Sequence, residues 1–297
     1  MAENSERKNI RIGLWSAAVS SGYLIIADYL LKHFSAPWLL FTSLLILPLS
    51  IPTLRKNKHK YKSWSQSAWT AFLVVGILSA AHNLTLLLSA EKLPISVASM
   101  FLSISSVMVL PLSCTMQKRL PKPLELAAIG VVPIGVCLVL KLHKAEYSLA
   151  GIALGLLTSF LTANATIYSG KTRNILTASE AMIAKTLGKL TFALIGLTLS
   201  INGDLTPKDS NLFLWMLLGL YGLMKIYDSF VASRAQFLLP PLVFQNLSLL
   251  SLPLVCIGEV ILFKGTLTIW QWAGVVTIVI AGFLATLSKQ QRLQAIV

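Results

Sequence analysis

Apolar residues in this chain come in runs of about twenty, and the short polar breaks between the runs hold most of the charge. A helix needs roughly 20 residues to cross a hydrocarbon core. Within that core every backbone N–H and C=O must be paired inside the segment. The pattern predicts an all-α membrane protein with ten transmembrane helices, at 11–31, 36–54, 66–89, 94–117, 123–141, 148–169, 177–200, 211–235, 241–263 and 268–288. The connections are too short to hold a soluble domain.

Composition agrees with this. Of 297 residues, 55% are hydrophobic and 12% charged, and mean hydropathy is +0.74. A soluble chain carries about 25% charge. The net charge of +14 could suggest nucleic acid as a partner, but the basic residues lie between apolar runs rather than on one soluble face, which excludes that class. Cys114, Cys137 and Cys256 all fall inside apolar runs and read as small hydrophobes. Of the four histidines (His33, His59, His82 and His143), only His82 lies within a span, and no Cys/His pair has ligand spacing. The expectation is a non-enzyme with no metal and no other cofactor. The basic N-terminal stretch runs into apolar sequence without a small-residue cleavage site, so it reads as a retained first helix.

Charge sets the expected orientation. With the N-terminus inside, sixteen of the 25 lysines and arginines fall on the cytoplasmic side and six on the other, while Lys185, Lys189 and Lys225 are embedded. Both termini are then cytoplasmic, and two sets of five spans have opposite orientations. Short matches link the sets: Pro111-Leu-Ser-Cys114 with Pro253-Leu-Val-Cys256, Gly130-Val-Val with Gly274-Val-Val, and Pro94 with Pro240-Pro241. They predict two inverted five-helix repeats around a central cavity, at 1–145 and 146–297, a plan common among secondary transporters.

Longer segments then resemble a known family. Asn83-Leu-Thr-Leu-Leu-Leu-Ser-Ala-Glu-Lys-Leu-Pro-Ile-Ser-Val-Ala98, the stretch Gly258-Glu259 through Thr268-Ile-Trp-Gln-Trp-Ala-Gly274 to Ala281-Gly282, and Leu154 to Lys171 resemble the EamA-like ten-helix branch of the drug/metabolite transporter superfamily. The resemblance implies a cavity lined by spans 1, 3, 4, 6, 8 and 9, with spans 5 and 10 peripheral. The chain also departs from the family. Thr42-Ser43 stand where an arginine is frequent early in span 2, and Gln117-Lys118-Arg119 where a glutamate is frequent at the end of span 4. Near the matching end of span 9 stands Lys264, with Glu259 more than a turn earlier.

Candidate site residues follow from helical spacing. In span 4, Ser96, Ser99, Ser103, Ser106, Ser113 and Gln117 share one stripe, and Thr158, Thr162, Thr166 and Ser169 do the same in span 6. Each serine alone reads as a packing residue, whereas a whole striped span reads as facing a polar cavity. Gly151-x-x-x-Gly155 reads as close helix packing. Lys185 and Lys189 lie one turn apart in span 7, and Tyr221, Lys225 and Asp228 share a face of span 8. Lys185, Lys225 and Asp228 sit roughly 10–15 Å from the cytoplasmic edge, with Lys189 near the midplane. Embedded charge marks a functional site by default. Asp228 is expected to pair with Lys225 or Lys185. Three lysines against one acid leave either a positive surplus, suited to a carboxylate or phosphate, or one uncharged lysine. Asp28, His82 with Asn83, and Glu259 lie nearer the outer side, and Gln245 shares a face with Glu259. Glu259 could carry a proton or bind an amine, or it could simply reach interfacial water. Trp15, Tyr23, Tyr168, Tyr221 and Phe244 could stack on an organic solute or serve as packing. Glu125 and Glu180 read as interfacial, Asp28 as a span-end residue, and Arg55 to Lys62 as a topology anchor.

The expected function is secondary transport of a small organic metabolite, amino acid or amino-acid-like, with or without a coupling proton. An exporter or flippase of the same fold for a lipid-linked or drug-like amphiphile is the alternative. The expected partners are that solute and the lipid bilayer, the chain acting as a monomer or homodimer. A bacterial inner membrane is the expected location.

Overall fold

The computed structural model describes residues 2–46, 61, 63–116, 118, 120–140, 147–199, 211–239, 241–263 and 267–294. The second half of the expected span 2, the basic residues from Arg55 to Lys62, and Gln117 lie outside them. Helices stand at all ten predicted places. They are α1 (Ala2–Leu31), α2 (Ala36–Phe41, continued by a 3-10 turn at Thr42–Ile46), α3 (Gln66–Ala90), α4 (Ile95–Met116), α5 (Pro123–Leu140), α6 (Leu149–Lys171), α7 (Ala178–Leu199), α8 (Leu212–Leu238), α9 (Pro241–Ser248), α10 (Ser251–Phe263) and α11 (Ile269–Gln294). Six are long and apolar enough to cross a membrane by length and composition, and four further apolar helices are shorter.

Capping side chains mark where the helices begin. Ser65, Ser148 and Asn211 accept hydrogen bonds from the backbone N–H groups of Ala68, Gly151 and Leu214. Glu125 accepts from the Lys122 N–H at 2.8 Å, and Thr177 and Glu180 form a reciprocal capping box. Glu125 and Glu180 are therefore buried caps at the starts of their helices, only 5% and 2% exposed.

The expected single span at 241–263 is broken between α9 and α10. Pro253 has no N–H to offer the Leu249 carbonyl, and its ring crowds that carbonyl. The Leu252 N–H takes it instead at 3.1 Å. The hydroxyls of Ser248 and Ser251 bond the carbonyls of Phe244 and Ser248, competing with the helical ladder.

Packing pairs α1 with α8 and α10, α6 with α3 and α4, α3 and α2 with α7, and α5 with α11. The α3–α7 crossing is backbone against backbone, because a Cβ added at Gly188 would stand 2.3 Å from the Gly76 oxygen. Gly151 and Gly155 likewise admit Leu93 and Phe101, as their spacing predicts. The Gly130/Gly274 match does not carry over to packing. Gly274 meets the Gly135 carbonyl, whereas a Cβ at Gly130 would meet nothing within 4 Å. Apolar residues fill two large clusters. One joins α4, α5, α6, α10 and α11. The other joins α1 to α4 with α7, α8 and α10, and it solidly packs the end where α1 finishes. Smaller clusters around Ala71, Val75 and Ala184, and around Ile12, Leu239 and Phe244, lie toward the opposite end.

Candidate functional site

Between these clusters lies a cavity of about 120 Å³, room for on the order of ten waters or a small solute. α1 lines it with Ser16, Ser20 and Tyr23, and α3 with Ser79, His82 and Asn83. Ser103 comes from α4, Thr162, Thr166 and Ser169 from α6, and Lys185 and Lys189 from α7. α8 adds Lys225, Asp228, Ser229 and Gln236, while α9 and α10 add Phe244, Gln245, Ser248 and Ser251. No described residue of α5 or α11 reaches it. The lining extends from the middle of the bundle toward the end where α1 begins. α7 is an addition to the helix set that the family resemblance implies.

The three lysines are all less than a tenth exposed. Lys185 donates to Ser233 at 3.2 Å and to the Gln236 side-chain oxygen. Lys189 donates to Ser229 at 3.1 Å. The Lys225 ammonium stands 3.6 Å above the Tyr23 ring, where the negative face of the ring stabilises it. Asp228 accepts from the Ser20 hydroxyl at 2.6 Å. The expected pairing of Asp228 with Lys225 or Lys185 is not made. Among the described residues no carboxylate lies at ion-pair distance from any of the three lysines. Their closest contacts are with neutral groups, which orient them.

Gln245 ties three helices together: its oxygen accepts from Ser105 at 3.1 Å and its amide donates to Thr166. Asn83 donates to the Ser79 carbonyl at 2.8 Å and lies 3.0 Å from His82 Nε2, while His82 Nδ1 faces the Leu78 carbonyl at 3.3 Å. A proton on Nδ1 satisfies both ring contacts at once.

Four predicted site residues lie outside the lining. Tyr221 is buried behind Tyr23, ring edge to ring face at 6.1 Å between centroids. Ser106 is fully buried and donates to the Ser103 carbonyl, as Ser99 does to Ser96. The span 4 stripe is therefore mostly packing, with hydroxyls satisfied by their own helix, and among its described residues only Ser103 reaches the cavity. Trp15 is 56% exposed on the outer face of the bundle, where it donates to the Tyr227 hydroxyl. Glu259 accepts from the Ser96 N–H at 3.0 Å and so caps α4 from a neighbouring helix. Asp28 lies outside as well, 3.6 Å from Lys32. Tyr168 packs against the cluster around Ala71 and Ala184. Spacing had missed Ser79, Ser229, Gln236, Ser248 and Ser251. Ser229 and Gln236 continue the Lys225 face by one and three turns, so the signal for them was there.

Among the described residues, a helical bundle with apolar outer faces and a buried, lysine-rich polar centre defines a polytopic membrane protein with an internal polar cavity. Residues 9–141, which hold α1 to α5, match the model of the EamA-like transporter family. That stretch, a little under half of the chain, is similar to membrane transporters of the drug/metabolite type. No curated protein matches the chain. Twenty-seven chains of solved structures match it. One, described only as the crystal structure of a protein, aligns over 94% of this chain and 98% of its own, with a TM-score of 0.57 and 12% identity. At that identity the likeness shows the fold alone.

Proposed function

We infer that this protein is a secondary transporter for a small organic metabolite with a carboxylate or phosphate group, amino-acid-like solutes fitting best. The observation that carries this reading is the set of three buried lysines around one cavity, held by hydroxyls, an amide and an aromatic face. An unneutralised ammonium in an apolar bundle is costly, and a solute anion would lower that cost. Asp228, the one lining carboxylate among the described residues, would meet a solute amine. Glu259 and Asp28 are occupied elsewhere and drop out of that role.

Two inverted halves moving about this cavity fit the packing. Exchanging α1 with α6, α2 with α7, α3 with α8, and α4 with α9–α10 turns the α1–α8 contact into the α6–α3 contact. The same exchange turns α1–α10 into α6–α4, and maps α5–α11 and α2–α7 onto themselves. The break between α9 and α10 beside the cavity suits such motion, since broken helices border the sites of many transporters.

The test is uptake by purified protein in liposomes, comparing amino acids with the matching amines that lack the carboxylate. Carboxylate-dependent uptake that falls in Lys189→Gln and Lys225→Gln, with folded protein retained, supports the reading. Equal uptake of the amines, or no effect in either variant, removes it.

A further inference from the structure

A second concavity lies on the opposite face of the same helix pair. Arg11, Ile12 and Trp15 of α1 and Tyr227, Phe230, Val231 and Arg234 of α8 line a groove of about 300 Å³. Trp15 and Tyr227 each neighbour a cavity residue, Ser16 and Asp228, but one residue's rotation of about 100° points them outward. Each face of the seam is thus closed by its own hydrogen bond: Ser20 to Asp228 inside, and Trp15 to Tyr227 at 2.9 Å outside.

The groove has two chemically distinct parts. Trp15, Tyr227 and Phe230 form a half-exposed aromatic floor. Arg11 lies one turn from Trp15 toward the start of α1, and Arg234 two turns from Tyr227 toward the end of α8. Both arginines are exposed, both line the groove, and no acidic side chain among the described residues lines it with them. An aromatic trough capped by two guanidinium groups at the charged end of a transmembrane bundle matches one class of ligand.

We propose that this groove is a binding site for an anionic phospholipid. Arg11 and Arg234 hold the headgroup phosphate, and an acyl chain lies along Trp15, Tyr227 and Phe230. Guanidinium groups bond phosphate oxygens in pairs. The aromatic rings lie one to two turns deeper than the arginines along their helices, where an acyl chain would run. The site is independent of what the central cavity carries.

The test is native mass spectrometry of the full chain released from micelles containing equal phosphatidylglycerol and phosphatidylcholine. The wild type should retain phosphatidylglycerol preferentially. The Arg11→Gln/Arg234→Gln variant should lose that preference roughly tenfold or more, from the attraction of about 1 kcal/mol per arginine near a membrane surface. Thermal unfolding checks that the variant is folded; if it is not, the two single variants and Trp15→Ala are read in its place. A wild type without lipid preference, variants that keep it, or displacement of the lipid by inorganic phosphate alone would each overturn the proposal.

Discussion

Gly188→Ala should damage this protein more than its size suggests. The new methyl would stand 2.3 Å from the Gly76 oxygen, 2.6 Å from its carbonyl carbon and 3.0 Å from its Cα. These are backbone atoms, so no side chain can swing away. Ordinary contact requires α3 and α7 to part by about 1 Å. Overpacking of this kind costs about 1–3 kcal/mol, against a helix-propensity gain of up to about 1 kcal/mol for alanine over glycine. The propensity gain is common to any Gly→Ala change in a helix, so relative to such a control the loss is the overpacking cost of about 1–3 kcal/mol, or several degrees in Tm at roughly 2–4 °C per kcal/mol. Gly219→Ala is the matched control, because a Cβ there meets nothing within 4 Å, and it should keep or raise Tm. The crossing also sets the spacing of Ser79, His82 and Asn83 on α3 from Lys185 and Lys189 on α7. Solute affinity should therefore fall with stability in Gly188→Ala and not in Gly219→Ala. Thermal unfolding of both variants in one detergent decides the matter. Equal Tm values would refute the backbone contact and the cavity geometry built on it.

Two further outcomes follow from single contacts. Glu259→Ala removes the acceptor for the Ser96 N–H and should cost about 0.5–2 kcal/mol, as loss of a helix cap does, visible as a lower Tm with solute affinity unchanged; loss of transport at unaltered Tm would return Glu259 to the site. Arg173→Ala frees the Gln236 and Leu239 carbonyls at the end of α8 and should lower Tm by the equivalent of roughly 1–3 kcal/mol, whereas Arg173→Lys, keeping a donor, should lose less. An arginine stays charged throughout the working pH range, so the effect should not vary between pH 6 and 8.

Local spacing revealed much of the site and little of what depends on distant partners. Lys185 and Lys189, or Lys225 and Asp228, share a helix face by simple periodicity, and each pair does line the cavity. The same periodicity cannot tell a hydroxyl facing a cavity from one facing a neighbouring helix, which is why Ser103 and Ser106 part company. Trp15 shows the angular limit, since one residue along the helix separates the polar interior from the lipid face. Glu259 shows the limit of distance: its partner lies 163 positions away, at the start of α4. The break before Pro253 was hidden because Pro111 and Pro133 sit inside unbroken helices. Proline thus permits a break without dictating one, and the hydroxyls of Ser248 and Ser251 help to decide it.

The central claim is that a solute's acidic group sits among Lys185, Lys189 and Lys225 in a wet cavity. The most direct measurement is alkylation of Ser229→Cys, placed beside Lys189, in a background without Cys114, Cys137 and Cys256. A charged thiol reagent should label this cysteine, and transported carboxylates should protect it while the matching amines do not. A cysteine that the reagent never reaches, or labelling that saturating carboxylate leaves unchanged, would contradict the account.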